Sequence, residues 1–153
     1  KRGWHALALV RPQWDAETVA ELLDRPGIIG LKPYYAMISR DPASRDKHIA
    51  ADILDYLPDH QSEVANRRGA WVTLHVPKAE RLPHPDNIRR IKEIRERYPD
   101  ISLVIAHLGR CYTAPHAREG LPPLADDPGL YFDISAVFNP DVFRIAFEDL
   151  EPR

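Results

Sequence analysis

Cysteine is almost absent from this chain: Cys111 is the only one in 153 residues. A single thiol makes no intrachain disulfide, so a disulfide scaffold is excluded and a reducing, cytoplasmic setting is the expectation. Long apolar runs are also missing. Ala6–Val10 and Leu103–Ala106 fall far short of the roughly 20 residues of a membrane span, and the opening residues carry no signal-peptide pattern. Charge of one sign is not in excess. The 21 Lys and Arg against 23 Asp and Glu leave a net −2, which gives no electrostatic footprint for nucleic acid or an anionic membrane. A glycine-rich phosphate loop, a G-x-S-x-G elbow and a C-x-x-C pair are lacking as well.

What is present is a normal globular composition, 44% hydrophobic and 29% charged, enough for one domain. The periodicity alternates short apolar runs with helical stretches. Strands are predicted at Trp4–Val10, Ile28–Lys32, Ala70–Val76, Ile101–His107 and Leu130–Ser135. Asp15 reads as the N-cap of a helix carrying Val19, Leu22 and Leu23, ended by Pro26-Gly27. Arg40–Asp46 reads as a loop, and Ile49, Ile53, Leu54 and Leu57 as one or two helical turns. Pro58 opens a helix closed by Gly69. His84 starts a strong helix with Ile88, Ile91, Ile94 and Tyr98 on one face; Arg89, Arg90, Lys92, Glu93, Arg95, Glu96 and Arg97 form a solvated face. A long loop follows Leu108, with a helical turn near His116–Glu119, and Asn139-Pro140 starts a last helix running to Leu150. The order βαβαβαβαβ predicts parallel strands joined by right-handed crossovers.

In such folds chemistry gathers at the C-terminal ends of the strands. Those ends carry Arg11, Lys32, His75, His107 with Arg110, and Asp133. Polar groups on apolar strands need partners, because an unpaired buried polar group costs about 1–3 kcal/mol. A shared metal or substrate would supply them. Of the other histidines, His5 is expected to pack within the first strand, His84 belongs to a helix start, and His116 sits in the long loop. His48 and His60 fall in the ambiguous middle region. Cys111 has no base arranged to make it a nucleophile, and Ser135 reads as structural.

The segments GIIGLKPYY, GAWVTLHVP, YPDISLVIAHLGR and PGLYFDISAV, in this order and spacing, resemble the amidohydrolase-related family. Its members are metal-dependent (β/α)8 barrels that include lactonases, amide hydrolases and an aminocarboxymuconate semialdehyde decarboxylase branch. The resemblance implies an α/β fold in which residues 1–153 are a segment of one TIM barrel, approximately strands three to seven with their crossover helices. The ends, at Lys1 and Arg153, are expected to be cuts through a longer chain, since a closed barrel takes roughly 200 residues or more. It further implies that His75 is a metal ligand and that His107 is a second ligand or the acid/base beside the metal. Lys32 falls near a lysine that some relatives carbamylate, and Arg110, or Arg11, would bind a substrate carboxylate. The family's strand-one H-x-H pair and strand-eight aspartate have no counterpart in this sequence.

The expected activity is metal-dependent hydrolysis of a lactone or amide in a small carboxylated substrate. His107, Arg110 and Lys32 are the catalytic candidates, Arg11, Arg110 and Tyr112 the substrate-binding ones, and His75 and His107 the metal ligands. The cofactor is a divalent cation, zinc first and manganese second. Two other readings stand beside it: non-oxidative decarboxylation of an unsaturated or aromatic acid, and an inactive truncated barrel used for assembly. The expected partner is a small molecule, with no nucleic acid and no membrane, and a homo-oligomer is compatible. Trp14, Tyr34, Tyr35, Tyr112 and Phe138 allow a ring substrate.

Overall fold

In the computed structural model, residues 3–39 and 51–149 are described. The expected loop at Arg40–Asp46, together with His48, Ile49 and Leu150, lies outside them. Five strands form one parallel sheet in sequential order: β1 (Ala6–Val10), β2 (Ile28–Pro33), β3 (Trp71–Leu74), β4 (Ser102–Ile105) and β5 (Leu130–Phe132). Each strand pairs with the next in sequence, which is barrel order rather than the reversing order of a doubly wound sheet. The architecture is α/β, part of a TIM barrel.

The helices are α1 (Ala16–Leu23), α2 (Asp59–Arg67), α3 (Pro85–Arg97), α4 (Ala114–Gly120) and α5 (Pro140–Arg144). The predicted caps hold. Asp15 accepts from the Thr18 backbone N–H, His84 from that of Asp86, and Asn139 from that of Asp141. Short 3-10 turns at Tyr35–Met37 and Ile53–Asp55 stand in the region of least regular pattern, where Ile53 and Leu57 are buried. The last helix does not run on regularly, because it widens into a π-turn at Ile145–Asp149. Among the described residues no helix is long and apolar enough to cross a membrane.

Strand alternation divides the sheet into two faces. Val10, Leu31, Val72, Leu74, Leu103 and Ile105 point one way and are fully buried with Val19, Val64, Ile91 and Val142 from the helices. The other face carries Leu9, Gly30, Lys32, Trp71, Thr73, Val104, Tyr131 and Asp133. It is open: Leu9, Trp71 and Tyr131 are about half exposed, and the Trp71 and Tyr131 rings stack at 5.7 Å. Gly30 is required on this face, because a Cβ there would overlap the Trp71 carbonyl. Glycine lets β2 and β3 approach.

Three sequence expectations are corrected. His5 and Trp4 lie before β1 and are exposed, so His5 does not pack within a strand. The strands stop earlier than their apolar runs, which places His75, His107 and Asp133 just beyond the ladder. Arg95 is not on a solvated face. Its side chain is 11% exposed, paired with Asp127 at 3.0 Å and donating to the Ile101 carbonyl at 2.6 Å. A guanidinium with five donors can satisfy the orphan carbonyls around a helix end.

Candidate active site

Loops after β3, β4 and β5 build the site. Among the described residues six non-glycine residues have positive φ: Lys78, Arg81, His107, Leu108, Arg110 and Ala136. All six lie in these three loops, and left-handed backbone outside glycine costs energy that surrounding structure must supply. The segment His107–Arg110 is a left-handed turn, not the strand end its apolar approach suggests. Gly109 (φ 64°) sits against Leu82, leaving no room for a Cβ. The turn is pinned on both sides. The Leu108 N–H donates to the Asp133 carbonyl at 2.8 Å, and the Leu82 N–H donates to the Gly109 carbonyl at 3.1 Å.

This turn swings His107 back over the sheet towards His75. Their Nε2 atoms are 3.0 Å apart, with ring centroids at 4.8 Å. On its far side, His107 Nδ1 lies 2.8 Å from the Ser135 carbonyl oxygen and 2.9 Å from Ser135 Oγ, with Asp133 Oδ2 at 3.9 Å. A carbonyl only accepts, so Nδ1 carries a proton and donates it. Ser135 is in turn held by Asp133, whose carboxylate accepts from the Ser135 N–H at 2.6 Å and from Oγ at 2.9 Å.

His75 is held differently. Tyr34 packs edge-on against its ring at 4.7 Å, and the buried Tyr56 hydroxyl donates to its carbonyl at 2.5 Å. Its Nδ1 is buried with no hydrogen-bond partner among the described residues.

The electrostatics follow. Burial, then the charges of Lys32, His107 and Arg110, push His75 down to about 4, against a weaker upward pull from Asp133. At neutral pH His75 is uncharged and has a lone pair to offer. Partial burial disfavours the Asp133 charge, but the bonds from Ser135 and the charges of His107 and Lys32 outweigh it and hold the carboxyl below the usual range. Burial pushes the Tyr56 hydroxyl well above its ordinary value. It raises Cys111 to about 12; that buried thiol donates to the His116 carbonyl and is not a nucleophile.

The structure thus brings together Lys32, His75, His107 and Asp133. Arg110 spends Nη1 on the carbonyls of Val76 and Lys78, tying the β3 and β4 loops together, while its charge is felt at His75. Tyr112 lies under the Arg81 guanidinium at 4.9 Å and lines an open hollow of about 410 Å³ with Ala136, Phe138 and Asn139. Arg11 follows β1, and its carbonyl accepts from Gln61. His116 Nδ1 accepts from Arg81 Nη1 at 3.3 Å, and His60 Nε2 donates to the Trp14 carbonyl at 2.9 Å. Sequence reasoning missed Ser135 and Tyr56 as parts of the site, and had Tyr34 only among the aromatics that allow a ring substrate. The Asp-x-Ser spacing of an Asx turn was the available signal for Ser135, and the two-residue step from Lys32 that for Tyr34.

The whole chain, residues 1–153, matches the amidohydrolase family, and the protein belongs to that family. Membership carries an enzyme activity of the hydrolase or decarboxylase type in general, and the family generally uses divalent metals. No curated protein and no solved structure matches the chain.

Imidazole nitrogens about 2.0–2.1 Å from a tetrahedral zinc stand about 3.3 Å apart. The observed 3.0 Å, with both Nε2 atoms facing each other, fits two ligands of one ion. Among the described residues no group of three His, Cys, Asp or Glu side chains is placed to hold one. The pair offers two of the nitrogens that such a coordination shell takes.

Proposed function

We propose that the protein is a metal-dependent hydrolase acting on a lactone or amide of a small carboxylated substrate. The observation that carries this is the 3.0 Å approach of the His75 and His107 Nε2 atoms at the ends of adjacent parallel strands. His75 would hold the cation, since burial and its cationic neighbours keep it neutral with a lone pair available. When bound, a divalent cation supplies Lewis acidity and a water acidified towards a pKa of about 7. Catalytic zinc sites use three protein ligands; among the described residues this reading assigns that role to His75 alone.

His107 receives and returns the proton at Nε2, because its Nδ1 is committed to Ser135. Asp133 Oδ2 lies 3.9 Å from that ring and holds Ser135 in place beside it. Lys32 adds positive charge on the same face for an anionic substrate group, with Arg110, Arg11 and Tyr112 as the further contacts. The setting is cytoplasmic, and the chain is a segment of one barrel domain.

The test is turnover on a panel of small carboxylated lactones and amides, with carbon dioxide detection in parallel. Hydrolysis is expected, with His107→Gln lowering kcat by about 10²–10⁴-fold, the range of a general base. Carbon dioxide release without hydrolysis would replace the reaction with decarboxylation. Full activity in His107→Gln would remove its role.

A further inference from the structure

The hydrogen-bond directions around His107 can be followed outward one proton at a time. The Asp133 carboxylate only accepts. It takes the Ser135 N–H and the single hydroxyl proton of Ser135 Oγ, at 2.6 and 2.9 Å. Oγ is then left with lone pairs towards His107, as the Ser135 carbonyl is. Two acceptors at 2.8 and 2.9 Å fix one proton on His107 Nδ1. A neutral imidazole has only one N–H, so its Nε2 is bare and faces His75 Nε2 at 3.0 Å. Two bare nitrogens at that distance repel, so His75 supplies the proton between them. Its own Nδ1, buried without a partner among the described residues, is then the bare atom.

From this we infer that the two histidines hold opposite tautomers in the cation-free protein, His107 protonated on Nδ1 and His75 on Nε2, and that the Asp133–Ser135 turn sets both. Asp133 and Ser135 are positioning residues that act through His107. A divalent cation would then bind by changing only one ring: the proton leaves His75 Nε2, one is taken up at His75 Nδ1, and the freed Nε2 lone pair goes to the cation. His107 keeps its tautomer throughout. This last step rests on the metal reading above; the tautomers themselves do not.

Nitrogen NMR of the chain labelled in its histidines, prepared with chelator, reads each ring nitrogen as protonated or bare. The expected result is a protonated Nδ1 at His107 and a protonated Nε2 at His75. Asp133→Ala should release the turn and move His107 towards the Nε2–H form, taking the His75 pattern with it. Asp133→Asn, which keeps an acceptor for the Ser135 N–H but sets a donor against Oγ, should retain the wild-type pattern through the Ser135 carbonyl, which still accepts from His107 Nδ1. A wild-type His107 protonated on Nε2 would overturn the inference, and that result needs no variant to fold. An Asp133→Ala chain with both tautomers unchanged would overturn the role of the turn. Adding zinc to the wild type should convert His75 alone to Nδ1–H; conversion of His107 instead would contradict the proposal. A wild type that takes up no zinc but shows the opposite tautomers supports the positioning and sinks the metal reading.

Discussion

His75 and His107 are the same residue type just beyond the ends of adjacent strands, yet they are supported by opposite means. His75 is held by packing: Tyr34 against its ring, Tyr56 on its carbonyl, and no partner on Nδ1 among the described residues. His107 is held by polar bonds to Ser135, backed by Asp133. The first environment keeps an imidazole neutral, and the second fixes a proton on Nδ1 and leaves Nε2 turned to its neighbour. In the proposed reading the buried ring is the lone-pair donor and the Ser135-bound ring the proton carrier.

The comparison can be broken from the His75 side most severely at Gly30. A side chain there meets the Trp71 carbonyl at the root of the strand that carries His75. Gly30→Ala is expected to lower stability by about 3 kcal/mol or more in urea unfolding, at the high end for a single substitution. His75→Ala removes a ligand outright. It should weaken zinc binding by more than about a hundredfold, beyond what outer-shell changes cost, as read by competition with a chelator. Tyr56→Phe keeps the packing and deletes the bond to the His75 carbonyl. A loss of about 1–2 kcal/mol in stability is expected, and an unchanged unfolding midpoint would show the bond to be idle.

On the polar side the effects are smaller. Ser135→Ala removes Oγ but leaves the carbonyl, so zinc affinity should fall by about tenfold, the low end for an outer-shell partner. An acid titration separates the two sides again. His75 has a lower pKa folded than unfolded, so between about pH 6.5 and about 4 the unfolded chain binds a proton that the native chain refuses. Stability is therefore expected to drop as pH falls through that window, and His75→Gln should flatten the drop. An equal slope in both proteins would contradict the burial argument.

Much of this was legible in the residues. The run ISLVIAH marks a parallel strand, and the polar residue ending each apolar run stood out; alternation puts Lys32, His75 and Asp133 on one face, whereas His107, in phase with Leu103 and Ile105, reaches that face only through the left-handed turn. The caps at Asp15, His84 and Asn139 were legible because they act over three residues. What was not legible depends on contacts distant in sequence. Nothing local tells Arg95 to leave a charged helix face for the carbonyls at 98–101 and Asp127. The turn at His107–Arg110 contains a single glycine, so three of its left-handed residues are imposed by Leu82 and Asp133 from neighbouring loops. Ser135 looked structural because its partner lies 28 residues away. Arg110 looked like a free anchor, whereas its Nη1 bonds two backbone carbonyls.

The most direct test of the central claim is the divalent metal content per chain, by elemental analysis, of wild type and His75→Ala purified alike. The account predicts about one ion per wild-type chain, zinc first, and none in the variant. A metal-free wild type, or a variant that holds as much metal as the wild type, would contradict it.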